Sequence, residues 1–161
     1  MTRVELTGVE LTGVEPAEAP SASLWTRLRF RVSLWLAARL LPSRVAHKPL
    51  HKVLELAEPT SLRLAGLHHD YITARVLRAT RRPWLMRDRR CLRQGLLGCR
   101  FLAEAGYEPE LHFGIDGDSI GTQRLAAHCW VCIQGKPVLN DRIKDMPTIL
   151  VHRVGSGTGG Q

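Results

Sequence analysis

The chain has 161 residues, 44% of them hydrophobic, and a formal charge of +8 from 23 Lys and Arg against 15 Asp and Glu. The hydrophobic share excludes a wholly disordered protein, and the length suits one domain with its own core. The basic balance favours acidic partners, and four cysteines, at 91, 99, 129 and 132, do not make a disulfide framework in a chain of this size.

Residues 1–21 contain Val-Glu-Leu-Thr-Gly twice over, four glutamates against Arg3, then Pro16 and Pro20. Two copies of five residues are too few for a repeat architecture, and there is no apolar run of signal-peptide type. This segment reads as a disordered acidic tail, with addition to a partner's sheet edge as the lesser reading. No stretch reaches the ~18 apolar residues that a membrane-spanning helix needs. With free thiols, the chain is expected in a reducing cytoplasm.

Ser23 is the N-cap expected for a helix running to Leu41 and stopped by Pro42. Leu24, Leu28, Val32, Trp35, Leu36 and Leu40 share one face of it, flanked by Arg27, Arg31 and Arg39. Further helices are expected over 48–57 and 60–80, the latter with Leu62, Leu64, Leu67, Ile72, Val76 and Leu77 as apolar positions and Pro83 as its stop. Cys91 to Ala105 is the next helix, closed by Gly106. Glu110 to Ile115 reads as a strand and 116–122 as a loop. Ala126 to Ile133 is a strand, Gln134-Gly135 a tight turn and Pro137 to Asn140 the hairpin partner. Residues 153–161 have the composition of a flexible tail. Helices followed by a meander of strands predict an α+β domain over 22–152.

Three residues in this order carry a chemistry. Cys91 opens a helix, whose N-terminus carries about half a positive charge and so favours a thiolate over a thiol with an ordinary pKa of roughly 8.5. Arg89, Arg90 and Arg93 are expected to act in the same sense. Gly95 and Gly98 share the face of Cys91 and permit a strand to pack closely there. His128 alternates with Trp130 and Cys132 on one strand face, and Cys129, Val131 and Ile133 occupy the other. If the His128 face looks at the cysteine helix, the imidazole reaches the thiol, and the hairpin returns Asp141 beside it. Thiol, imidazole and carboxylate are the parts of a cysteine nucleophile.

Blander readings stand beside this one. Cys129 and Cys132, three apart on a strand, point to opposite faces and make a poor zinc or redox pair; with Cys99 they read as small core residues. Cys91 by itself would also read as buried and inert. Adjacent histidines in His68-His69-Asp70 diverge by about 100° on a helix, so a structural surface is favoured over a metal site. His112 is a rival base, more simply a satisfied polar strand position. The arginines from Arg75 to Arg93 read as a solvated face. The basic stretch from Arg27 to Lys52, with Trp25 and Trp35, admits contact with a membrane surface as a lesser reading.

Several strings resemble a known family: Met86-Arg87-Asp88-Arg89-Arg90-Cys91-Leu92-Arg93-Gln94-Gly95, Phe101-Leu102-Ala103-Glu104-Ala105-Gly106, Leu111-His112-Phe113-Gly114-Ile115, Ala127-His128-Cys129-Trp130-Val131 and Gly135-Lys136-Pro137-Val138-Leu139. They are similar to the transglutaminase-like, papain-related cysteine peptidases that remove leader peptides in lasso-peptide biosynthesis. The Leu- and Arg-rich helices before Pro83-Trp84 fit the same family, and the match spans most of 24–150. The resemblance implies a transglutaminase/papain-like core, with a Cys-bearing helix on a small antiparallel sheet and N-terminal helices beside it. It implies Cys91 as nucleophile, His128 as base and Asp141 as orienting acid, with Asp145 as the substitute for Asp141. Cys129, where the family commonly has Ala, is a departure. The main-chain N–H of Cys91 is one candidate oxyanion donor. The implied partners are a precursor peptide, a separate leader-recognition protein and a lasso macrocyclase. No cofactor, metal or nucleic acid is expected.

Two other classes are carried forward. The same triad would serve an acyl transferase or amidase, with the thioester intercepted by an amine. A non-enzymatic basic module for nucleic acid or a membrane surface would need no thiol, and neither a recognition helix nor an aromatic platform is evident for it.

Overall fold

The computed structural model describes residues 22–81, 89–121, 126–143 and 146–155. The expected tail at 1–21, residues 156–161 of the tail expected over 153–161, the helix stop at Pro83 and the substitute acid Asp145 lie outside these residues, and Arg153 belongs to the last strand instead of a tail. The order is α1 (Leu24–Val45), α2 (Leu50–Leu54) continued by a 3-10 turn over Glu55–Ala57, α3 (His69–Ala79), α4 (Arg90–Glu104), β1 (Pro109–Ile115), β2 (Ala127–Ile133), β3 (Lys136–Leu139) and β4 (Thr148–Arg153). The strands form one antiparallel sheet in the order β3-β2-β1-β4. The expected α+β architecture, helices first and then the sheet, is what the chain adopts.

α1 departs from expectation twice. Ser23 caps it as expected, its Oγ accepting from the Thr26 N–H at 3.1 Å. The helix does not stop at Pro42 but runs through it to Val45. A proline inside a helix leaves the carbonyl four residues back without its usual donor. Here that carbonyl is Ala38 O, and the Arg93 guanidinium of α4 donates to it at 2.6 Å. The second departure is the buried face. Phe30, Leu34, Ala38, Leu41 and Val45 pack inward, whereas the expected row of Leu24, Leu28, Val32, Trp35, Leu36 and Leu40 is exposed. Both faces of α1 are apolar, so periodicity selected the wrong one.

The expected helix over 60–80 is confined to His69–Ala79. Leu64 and Leu67 are still buried, but from a turn that contains Gly66 at φ 83°. Glu104 of α4 secures this segment. Its buried carboxylate accepts from the Thr60 N–H at 3.1 Å, the Thr60 hydroxyl at 2.6 Å and Arg100 Nε at 3.1 Å.

α4 is the axis of the domain. One side meets α1 and α3, with Phe30 and Phe101 in edge contact at 5.3 Å. The other lies on the sheet, and its two interior glycines mark the crossing. A Cβ on Gly95 would sit 2.6 Å from Leu111 Cδ1 and 3.4 Å from Cys129 Sγ, and one on Gly98 would collide with Leu139. Gly106, at φ 94°, closes the helix as expected. In the β2–β3 hairpin, Gln134 and Gly135 both take positive φ, which suits the strand twist of a two-residue turn. β4, not anticipated from sequence, pairs with β1 and carries the sheet through Arg153, whose Nε donates to Glu110 Oε1 at 2.8 Å.

Candidate active site

Cys91 sits in the first turn of α4 and is half-buried. Arg89, at the N-cap position, makes no side-chain hydrogen bond to the first-turn amides. The start of the helix therefore keeps donors for a negative charge. A cleft of ≈ 280 Å³ opens here, lined by Arg89, Cys91, Leu92, Phe113, Ala127, His128 and Cys129. Nucleophile candidate and base candidate thus share one cleft, where the start of α4 meets the start of β2.

The two do not meet in the expected manner. Cys129 and Val131 face α4, together with Leu111 of the neighbouring strand. Alternation puts His128, Trp130 and Cys132 on the opposite face of the sheet. The Cys129 thiol is therefore the one on the α4 side, and it and the charge of His128, which lines the same cleft, both favour the Cys91 thiolate. The expectation that the His128 face would look at the helix is corrected: the close approach at Gly95 admits the thiol of residue 129 instead.

The Cys91 thiol is pulled down to about 5. The Cys129 hydrogen bond is the largest cause; burial opposes it, and the Cys129 amide, the His128 charge and the Leu92 amide add to it. The same bond pushes Cys129 far up, with burial acting in the same sense. The two shifts run in opposite directions, and the more exposed sulfur, at the helix start, is the one favoured as thiolate. Cys99 and Cys129 are both buried in the core, as expected, and burial pushes the Cys99 thiol well up. The flanking arginines are not among the causes at Cys91, and Arg93 is turned to α1.

His128 is held by two contacts. Its ring stacks on buried Trp130 at 6.2 Å and 19°, and Trp130 stacks in turn on His112 at 5.6 Å and 20°. Its Nε2 lies 3.0 Å from the main-chain carbonyl oxygen of Asp141. A carbonyl only accepts, so Nε2 carries the hydrogen and Nδ1 is the basic nitrogen. Asp141 thus reaches the imidazole through its backbone, while the residue itself is exposed. His112 lines no part of the cleft; its Nε2 pairs with Glu110 Oε2 at 3.1 Å.

Asn140 was not singled out from sequence. It lies between β3 and Asp141 at φ 56°, a conformation that Asn tolerates better than most residues. Its Nδ2 donates to Cys91 O at 3.3 Å and to Cys129 O at 3.1 Å. It ties the first turn of α4 to β2, the two elements that carry Cys91 and Cys129. A side-chain amide directly after a short apolar strand was the only available signal.

Cys129 and Cys132 point to opposite faces, as their spacing predicted. His68, His69 and Asp70 bring ligand-type atoms within 4.8 Å of one another at the start of α3. His68 Nδ1 is engaged there as a cap, accepting from the Asp70 N–H at 3.3 Å.

No curated protein and no solved structure matches this chain. The family model described as the Transglutaminase-like superfamily matches residues 24–150, from the start of α1 into β4. With a cysteine on a helix start, a histidine on the facing strand and that match over most of its length, the chain belongs to the transglutaminase-like superfamily.

Proposed function

We infer that the protein is a cysteine peptidase that removes the leader from a ribosomally made lasso-peptide precursor. The observation that carries the enzymatic part is the position of Cys91 in the first turn of α4, in a cleft that His128 also lines. The choice of precursor rests on the resemblance of the strings around Cys91 and His128.

The thiolate attacks the carbonyl carbon of the scissile peptide, and the C–N bond breaks as a thioester forms at Cys91. The imidazolium of His128 gives a proton from Nδ1 to the leaving amine. His128 then takes a proton from water, which attacks the thioester and releases the leader acid and the thiolate. The main-chain N–H of Cys91, at the start of α4, is the candidate donor to the oxyanion. Asp141 holds the ring in the tautomer that this needs, through its carbonyl oxygen. A precursor peptide is the substrate; a separate leader-recognition protein and a macrocyclase are the partners, and a reducing cytoplasm suits the unpaired thiols. The acyl-transferase reading differs only in the second step, where an amine replaces water.

The test is mass spectrometry of a lasso precursor incubated with the protein, with and without its leader-recognition partner. Cleavage at the leader–core junction, lost in Cys91→Ala, is the expected outcome. Cleavage that survives Cys91→Ala ends the proposal, and a product carrying an added amine moves it to acyl transfer.

A further inference from the structure

A groove separate from the cysteine cleft lies between α1 and α3. It is ≈ 580 Å³, and Arg31 and Arg39 of α1, Arg75 and Arg78 of α3, and Arg81 just beyond α3 line it. Arg93, which also borders it, is committed to Ala38. No carboxylate is among the described lining residues. Five guanidinium groups brought together without an acid repel one another, which an anionic occupant relieves.

The groove is not only basic. Leu34, Ala38 and Ala79 give it an apolar floor, and Trp35 stands at its edge, 56% exposed and covered on one face by Arg39 at 5.1 Å. Beside Trp35 on the same helix, Leu28, Val32 and Leu36 are each about half exposed. An apolar row bordered by arginines calls for an occupant with carboxylates and large apolar side chains together. A lipid surface is flat and would meet the convex face of α1, whereas this site is concave. A nucleic acid would use the charge but leave the Leu and Val row uncovered.

We propose that the α1–α3 groove docks an acidic, amphipathic peptide segment of a separate protein, its carboxylates on Arg31, Arg39, Arg75, Arg78 and Arg81 and its apolar side chains against Trp35 and the floor. This goes beyond the peptidase reading and does not depend on it, because the groove and the Cys91 cleft share no lining residue among the described ones.

The test is fluorescence anisotropy on the full chain with a labelled peptide rich in Glu and Leu, and with its Gln-for-Glu counterpart. The acidic peptide binds, the Gln peptide binds at least about tenfold more weakly, and raising salt from low to high ionic strength weakens the complex. Arg31→Glu with Arg78→Glu, one exposed arginine from each wall, lowers affinity by roughly tenfold or more, and Trp35→Ala by about fivefold. The rate of Cys91 alkylation stays unchanged in these variants, which shows that the fold and the cysteine cleft are intact. Equal binding of the two peptides, or no effect of the arginine reversals, overturns the proposal. So does tighter, arginine-dependent binding of phosphatidylglycerol vesicles or poly(U) RNA. Binding seen only after residues 1–21 are removed overturns it in favour of the chain's own acidic segment.

Discussion

Arg93 Nη2 donates to the Ala38 carbonyl at 2.6 Å, and that carbonyl is the one Pro42 has no N–H to satisfy. An arginine close to Cys91, expected to tune its charge, repairs a helix instead. Arg93 is buried, and desolvation lowers its pKa, so its position is maintained by what it bonds. Replacement by Met keeps much of the packing but orphans the carbonyl, with an expected loss of about 2–3 kcal/mol in urea unfolding. In a Pro42→Ala background the helix supplies its own donor, so the same replacement should cost at least about 1 kcal/mol less. Strict additivity of the two changes would show that the bond and the proline are unrelated. The pH midpoint of Cys91 alkylation should stay where it is in Arg93→Met.

The sulfur pair predicts a pH profile. Alkylation follows the thiolate, and the surroundings of Cys91 in the fold pull its thiol down to about 5 from an ordinary value of roughly 8.5. Iodoacetamide should therefore react at a nearly constant rate from neutral pH upward, and the rate should fall as pH drops through about 5. Cys129→Ala removes the largest cause of the depression, so the midpoint moves up and the rate near pH 6 declines. A midpoint that ignores Cys129→Ala would mean that the helix start and His128 suffice alone.

Asn140 separates geometry from conformation. Asn140→Ala loses the donors to Cys91 O and Cys129 O and puts a non-glycine residue at φ 56°. Two lost hydrogen bonds and the left-handed penalty together predict about 2–4 kcal/mol of destabilisation. Asn140→Gly loses the same bonds but accepts the φ, so it should be the more stable of the two by about 1 kcal/mol. If the bonds set the sulfur spacing, both variants raise the Cys91 midpoint. An unchanged midpoint in Asn140→Gly would reduce Asn140 to a turn residue.

What sequence could and could not reveal follows from the kind of interaction involved. The start of α4, Gly106, the strand alternation and the Gln134-Gly135 turn are local, and each was legible. The face of α1 was not, because apolar residues occupy both sides of that helix and only the tertiary contact with α4 chooses Phe30 over Leu28. Alternation correctly separated His128 from Cys129, but which side meets the helix depends on how closely Gly95 lets the strand approach. The Thr148–Arg153 strand escaped notice because its role is to pair with β1, more than thirty residues upstream. The roles of Asn140 and Arg93 are contacts across 49 and 55 residues of chain, which no local pattern encodes.

The imidazole offers the sharpest test of how the site works. A carboxylate that orients a catalytic histidine is worth up to about 10⁴ in rate when removed. Here Nε2 bonds the main-chain oxygen of Asp141, an atom that every residue supplies. Asp141→Ala should then retain activity within about threefold, since the carbonyl acceptor survives and only an exposed charge is lost. His128→Ala should abolish turnover, and Trp130→Leu, which removes the stacking surface beneath the ring, should lower kcat more than it raises KM. A loss of a thousandfold or more in Asp141→Ala would mean that the carboxylate swings onto the ring when substrate binds. Asp141→Asn then distinguishes the remaining cases: an amide that restores activity acts by hydrogen bonding, and one that does not shows that the negative charge itself is required.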